Sequence, residues 1–168
     1  MLVNLHVKNL ALIEEENIDF DEGLNILSGE TGAGKSIVVD SINAIMGERT
    51  SKELVRHNTD YGFVSAYFDD ISKSICHKLS ELGIEIDEEN SLLLSRKISS
   101  NGKSLCKVNG KTVTVSMLKE ISSLLVNVHG QHDSQALLNP DLQYTYIDML
   151  LNCLLYTSDA ADEARSVD

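Results

Sequence analysis

From Gly29 to Ser36 the chain reads Gly-Glu-Thr-Gly-Ala-Gly-Lys-Ser. With three glycines between Gly29 and Gly34, this stretch cannot be regular helix or strand. The flanks are regular. Asp21-Glu-Gly23 is a turn, and Leu24-Asn-Ile-Leu27 reads as a short buried strand. From Lys35 onward, Ile37, Val38, Ser41, Ile42, Ile45 and Met46 fall on one helical face, with Gly47 as the stop. A strand, a glycine-rich loop and a helix opening on Gly-Lys-Ser match G-x-x-x-x-G-K-[ST] in full. Average residue usage would produce that pattern in roughly one in a few hundred chains of this length. A bland glycine-rich turn is therefore the weaker reading. In such a loop the backbone N–H groups of Gly29, Glu30, Thr31, Gly32, Ala33 and Gly34 curl inward on phosphate oxygens. The helix N-terminus adds partial positive charge. Lys35 would reach the β- and γ-phosphates, and the Ser36 hydroxyl would ligate magnesium. The motif predicts binding of a nucleoside triphosphate with Mg²⁺.

Hydrolysis needs more than binding. A second magnesium-side carboxylate normally ends an apolar strand, and Val64-Ser-Ala-Tyr-Phe68-Asp69-Asp70 has that outline. Its alternation, Phe63/Ser65/Tyr67 against Val64/Ala66/Phe68, instead fits a strand with two unlike faces. If Asp69 or Asp70 did serve, the chain would be a self-contained small P-loop NTPase or kinase. The arginine-rich lid of a kinase is missing, since only Arg49, Arg56 and Arg96 precede the tail. A second polar cluster, His129-Gly-Gln131-His132-Asp133, follows the apolar run Leu124–Val128, read as a last buried strand. It admits three readings. It could be a metal site, although no cysteine or third histidine completes a ligand set, or a plain polar loop. Otherwise Gln131 reaches the magnesium and the attacking water.

Elsewhere, Leu2–Lys8 and Leu12–Phe20 read as strands, as do Tyr61–Phe68 and Ser91–Ile98. Ile71–Leu82 is an amphipathic helix ending at Gly83. Asn101-Gly102 and Asn109-Gly110 are turn dipeptides bracketing a return strand, Lys103–Val108. A helix then starts at Thr112 or Thr114 and runs through Ser122. The fold class is α/β with an antiparallel hairpin lobe.

Composition narrows the partners. The 168 residues carry a net charge of −12, which argues against non-specific nucleic-acid binding by the whole surface. No acidic residue lies between Glu89 and Glu120, where Arg96, Lys97, Lys103, Lys107, Lys111 and Lys119 are found. Such a lobe is either a solvated hairpin whose lysines deter edge pairing or a phosphate-backbone contact surface. Cys76, Cys106 and Cys153 form no CxxC pair and fit free thiols in a reducing cytoplasm. No apolar run approaches a membrane span, and the N-terminus lacks the pattern of a secretion signal.

Three segments together carry a family resemblance: Leu-x-Val-Lys-Asn-Leu-Ala-Leu-Ile near the start, Phe20 through Ser36, and Val128-His-Gly-Gln131-His-Asp-Ser-Gln-Ala-Leu-Leu138. Over residues 1 to about 150 the chain resembles the N-terminal part of the RecN family, in the SMC-like branch of the ABC ATPases. The resemblance implies a P-loop ATPase head split by a long coiled coil. The N-terminal half, with a mixed sheet, carries Walker A and the Q-loop; the C-terminal half carries the signature motif and Walker B. Gly29, Gly32, Gly34, Lys35 and Ser36 would be the phosphate loop and Gln131 the Q-loop glutamine. Arg56 would be the arginine near the phosphates, with Arg49 competing. The family further implies DNA-stimulated ATPase activity in double-strand-break repair and recombination. Two heads would dimerise around ATP, and the Arg96, Lys97, Lys103, Lys107 and Lys111 lobe would be the place for DNA contacts.

Departures set the limits. No signature motif and no convincing Walker B occur in the chain, so the fragment should bind ATP but hydrolyse it only when completed by the other half. The expected organisation is a half-head at 1–140 and the start of a coiled-coil helix at 141–152, where Leu142, Tyr146, Met149 and Leu150 keep a stripe. The tail at 153–168 resembles translated adapter sequence rather than family sequence.

Overall fold

Period-two alternation joined by tight turns builds one sheet. The computed structural model describes residues 1–28, 34–86, 89–126 and 128. Its strands are β1 (Leu2–Leu10), β2 (Ile13–Asp19), β3 (Tyr61–Phe68), β4 (Leu92–Ser99), β5 (Ser104–Val108) and β6 (Lys111–Val113). They lie in the order β2-β1-β3-β4-β5-β6, and every ladder among the described residues is antiparallel. The helices are α1 (Lys35–Ile45), α2 (Lys73–Glu81) and α3 (Val115–Ser123).

One face of the sheet carries the core. Leu5 and Val7 of β1, Val64, Ala66 and Phe68 of β3, Leu92, Leu94 and Ile98 of β4, and Cys106 and Val108 of β5 are all buried. α1 packs on β1, β3 and β4, and α3 packs on β5. Ile37, Val38, Ala44 and Ile45 of α1 and Leu118 and Ile121 of α3 complete this layer. The opposite face is polar and aromatic: Lys97 lies over the Tyr61 ring at 3.8 Å, and His6 meets Phe63 with centroids 5.8 Å apart.

Local chemistry explains the boundaries. Asn109 and Gly110 both have positive φ, 45° and 79°, which makes the two-residue turn joining β5 to β6. Thr114 caps α3, its hydroxyl accepting from the Met117 N–H at 3.2 Å, so the helix starts at the second of the two expected threonines. Gly47 and Gly83 follow α1 and α2 with φ of 83° and 74°. Gly62 is required for space instead, since a Cβ there would collide with the Leu10 side chain and lie 3.0 Å from the Asn9 carbonyl.

Two expected strands are corrected. Leu24–Leu27 forms no ladder, and Leu24 and Ile26 are 87% and 77% exposed. A short strand between a turn and a phosphate loop is buried only when strands flank it, and among the described residues none lies beside it. Asn25 instead closes the preceding turn, donating to the Asp21 carbonyl at 2.8 Å and accepting from the Asp21 N–H at 3.0 Å. Leu124–Val126 is likewise a turn closing α3, with the Leu125 and Val126 N–H groups bonded to the Ser122 carbonyl.

By compactness, residues 1–127 make one unit and residues 128–168 another. Of the second only Val128 is described, so the expected coiled-coil start and the tail lie outside the described residues. No described helix is long and apolar enough to cross a membrane.

Candidate nucleotide site

Gly34 begins the described part of the candidate phosphate loop. Its φ of 95° belongs to glycine, and a Cβ there would meet nothing within 4 Å. Conformation, not space, demands glycine at this position. The Gly34 carbonyl accepts the first bond of α1, from the Val38 N–H at 2.9 Å. Lys35, half-buried, and Ser36, exposed, are the first two helical residues. No side chain caps this helix start and no acidic residue occupies its first turn. Its amides and dipole therefore offer positive potential that no neighbouring carboxylate in that turn neutralises. Gly29, Glu30, Thr31, Gly32 and Ala33 lie outside the described residues, as do Gln131 and its neighbouring histidines.

The two candidate arginines separate clearly. Arg56 is tied to the β1–β2 turn: Nη1 donates to the Leu12 carbonyl at 2.7 Å, and its N–H donates to the Asn9 carbonyl at 2.9 Å. Arg49 instead follows the C-terminal end of α1, in a cleft of about 360 Å³ with Thr50, Arg96 and Ser104. Eleven helical residues place that end roughly 16 Å from Lys35.

Asp69 and Asp70 end a strand bracketed by antiparallel neighbours. Asp69 exchanges backbone bonds with Met1, and its carboxylate accepts the Asp70 N–H at 2.8 Å. Asp70 sits at a φ of 50°. These are the habits of a strand end. No group of three or more metal-ligating side chains occurs among the described residues.

The basic lobe divides by strand alternation. Lys97 and Lys107 are exposed on the polar sheet face, and Lys103 is exposed on the β4–β5 loop. Lys111 is turned toward the end of α2, donating to the Gly83 carbonyl at 2.8 Å. Lys119 pairs with Glu48 at 2.7 Å. Arg96 is removed from the phosphate-contact set, because it is 3% exposed on the core face of β4. Its guanidinium bonds to the carbonyls of Ala44 and Glu48 at 2.7 and 2.8 Å. Burial pushes its pKa down, yet an arginine stays charged. Burial likewise pushes the Cys106 thiol up, with Arg96 opposing, which keeps that thiol protonated and unreactive. The signal for Arg96 is present in the sequence, since Leu92, Leu94, Arg96 and Ile98 share one parity along the strand.

Among solved structures the same fold is found in SMC heads and in RecF. An SMC ATPase head, described through its ATP-driven dimerisation and DNA-stimulated activation, superposes with a TM-score of 0.62 at 21% identity, covering 88% of this chain and 97% of that one. The Smc head of Pyrococcus yayanosii gives 0.63 at 21% identity over 81% of this chain and 29% of that one. The recombination mediator RecF with ATP gives 0.59 at 19% identity over 90% and 39%. The chain belongs to the AAA-domain family, whose model matches residues 4–162. In sequence it is similar to the DNA repair protein RecN of Bacillus subtilis, 41% identical over 153 residues, and to that of Vibrio cholerae, 35% over 148 residues. Each match covers 88% of this chain but 26% of the relative, so the chain spans about a quarter of the length of these curated relatives.

Proposed function

We propose that this chain is the ATP-binding N-terminal part of a RecN-like DNA repair protein, acting in double-strand-break repair and recombination. The observation that carries the reading is the full phosphate-loop sequence ending at Gly34, with Lys35 and Ser36 opening an uncapped helix. In this reading Gly29–Gly34 cradle the phosphates, Lys35 reaches the β- and γ-oxygens, and Ser36 holds Mg²⁺. Gln131 orients the attacking water, and Arg56 approaches the phosphates. Residues 1–140 form the half-head and 141–152 begin the coiled coil. The missing carboxylate and signature loop come from the protein's own C-terminal half, and ATP is sandwiched between two heads of a homodimer. The exposed Leu24, Ile26 and Leu27 support that need for a second half. DNA contacts fall to Lys97, Lys103 and Lys107, in the cytoplasm at the nucleoid.

The test is MgATP binding and turnover by the purified chain beside Lys35→Ala. Binding lost in Lys35→Ala, with negligible turnover until a signature-bearing C-terminal half is added, is expected. Turnover by the chain alone, linear in concentration, overturns the split-site reading. DNA binding unchanged after charge reversal at Lys103 and Lys107 removes the lysine assignment.

A further inference from the structure

The far end of α1 is held by groups that the nucleotide reading does not use. Arg96 directs every N–H of its guanidinium to an oxygen. Nη1 takes the Ala44 and Glu48 carbonyls at 2.7 and 2.8 Å, and Nη2 takes Thr50 Oγ1 and Ser104 Oγ, both at 3.3 Å. Nε takes Ser104 Oγ at 3.4 Å. These acceptors are neutral, and no ion pair among the described residues includes Arg96. The counter-charge is the negative end of α1 itself, where unpaired carbonyls concentrate.

α3 grips the same end. Ser122 Oγ donates to the Met46 carbonyl at 3.0 Å, and the Glu48 carboxylate takes Lys119 Nζ at 2.7 Å. Gly47 packs so closely that a Cβ there would lie 2.8 Å from the Lys119 nitrogen. Alternate carbonyls at the helix end, those of Ala44, Met46 and Glu48, are thus each taken by a side chain from the hairpin lobe or α3.

A buried guanidinium is a costly way to fill a strand face whose other members are Leu92, Leu94 and Ile98. An apolar side chain would fill the space but give up the bonds to the Ala44 and Glu48 carbonyls, leaving only the α3 contacts to resist sliding or rolling of α1. Directional bonds to individual carbonyls allow neither. A three-turn helix is stiff, so displacement at Ala44–Glu48 reappears at Lys35 and Ser36. Phosphate donors must sit within about half an ångström of their working positions. We infer that Arg96 is a positioning residue for nucleotide binding, setting the depth and roll of α1 and, through the helix, the placement of Lys35 and Ser36. The inference rests on the nucleotide reading above.

The test uses the full chain with Arg96→Met, Arg96→Lys and Ser104→Ala, beside Leu79→Ala, which destabilises through the core at α2. MgATP affinity is measured by calorimetry at a temperature where all variants are folded, together with amide exchange along α1. Arg96→Met should bind MgATP about ten-fold or more weakly, Arg96→Lys should fall between it and wild type, and Leu79→Ala should stay within about two-fold of wild type. Equal affinities for Arg96→Met and Leu79→Ala overturn the inference, because a merely structural role loosens both alike. Should Arg96→Met fail to fold, Arg96→Lys and Ser104→Ala decide by the same comparison. If wild type and Lys35→Ala both ignore MgATP, the proposed function fails, and amide exchange then judges Arg96 separately. Faster exchange at Val38 and the hydrogen-bonded amides after it in α1, only in the Arg96 and Ser104 variants, supports positioning, and unchanged exchange there overturns it.

Discussion

Leu92, Leu94 and Ile98 of β4 are at most 1% exposed, whereas Leu24 and Ile26, ahead of the phosphate loop, are 87% and 77% exposed. As sequence both stretches carry leucine and isoleucine between turn residues, and Leu24-Asn-Ile-Leu27 is the more apolar of the two. What differs is the company. β4 has β3 and β5 on its flanks and α1 beneath it, so its alternation finds a place for each side chain. Leu24–Leu27 has no ladder partner among the described residues. Apolar character therefore states a demand for burial, and only neighbouring strands can meet it. The fully packed region supports the helix, and the uncovered one leads into the loop that should hold phosphate.

The contrast can be broken most forcefully at β4. Leu94→Ala should cost about 2–5 kcal/mol, read by urea unfolding, because a leucine cavity there has no water to fill it. Next is the cap of the neighbouring helix. Thr114→Ala should lose about 1 kcal/mol, while Thr114→Ser should restore most of it, again by urea midpoint. At the uncovered stretch, Ile26→Ala in this chain should shift stability by less than about 0.5 kcal/mol. The same change should weaken association with a C-terminal half, measured by titration calorimetry, and equal association would remove that stretch from the interface.

The smallest effect lies at the sheet edge. Lys8 and His6 bond the Glu15 carboxylate and hold its pKa below the usual carboxylate range. A depressed folded pKa contributes stability above the unfolded value, near about 4.3 for glutamate, and loses it as pH falls through the folded value. Wild type and Glu15→Gln should therefore differ slightly near about pH 7 and converge in acid. Parallel stability profiles would disconnect the pair from folding.

Much of the fold was legible because local signals agreed. Tyr61–Phe68 alternates strictly and is β3, and Asn109-Gly110 demands a two-residue turn and makes one. The helix after Gly34 followed from its apolar spacing and from Gly47. The failures were non-local. Leu24–Leu27 and Leu124–Val126 are apolar enough for strands, and neither composition nor spacing records whether a neighbouring strand exists. Arg96 groups with the lysines by charge, although its parity along β4 already places it inside. At the site, motif and helix start were readable together. The helix end was not, because the residues that clamp it stand 48 to 76 positions farther along the chain than the carbonyls they hold.

The turn at Asn109-Gly110 also gives the molecule a chemical memory. Asparagine before glycine is the dipeptide most prone to lose its side-chain amide, through attack by the glycine nitrogen on the side-chain carbonyl. Here that carbonyl accepts the Leu93 N–H at 2.8 Å and the amide donates to the Glu85 carbonyl at 3.1 Å. Folding thus ties the side-chain amide into two hydrogen bonds, and each unfolding frees it. Isoaspartate at residue 109, counted by mass spectrometry in aged samples, should therefore accumulate in proportion to time spent unfolded, faster in Leu94→Ala than in wild type.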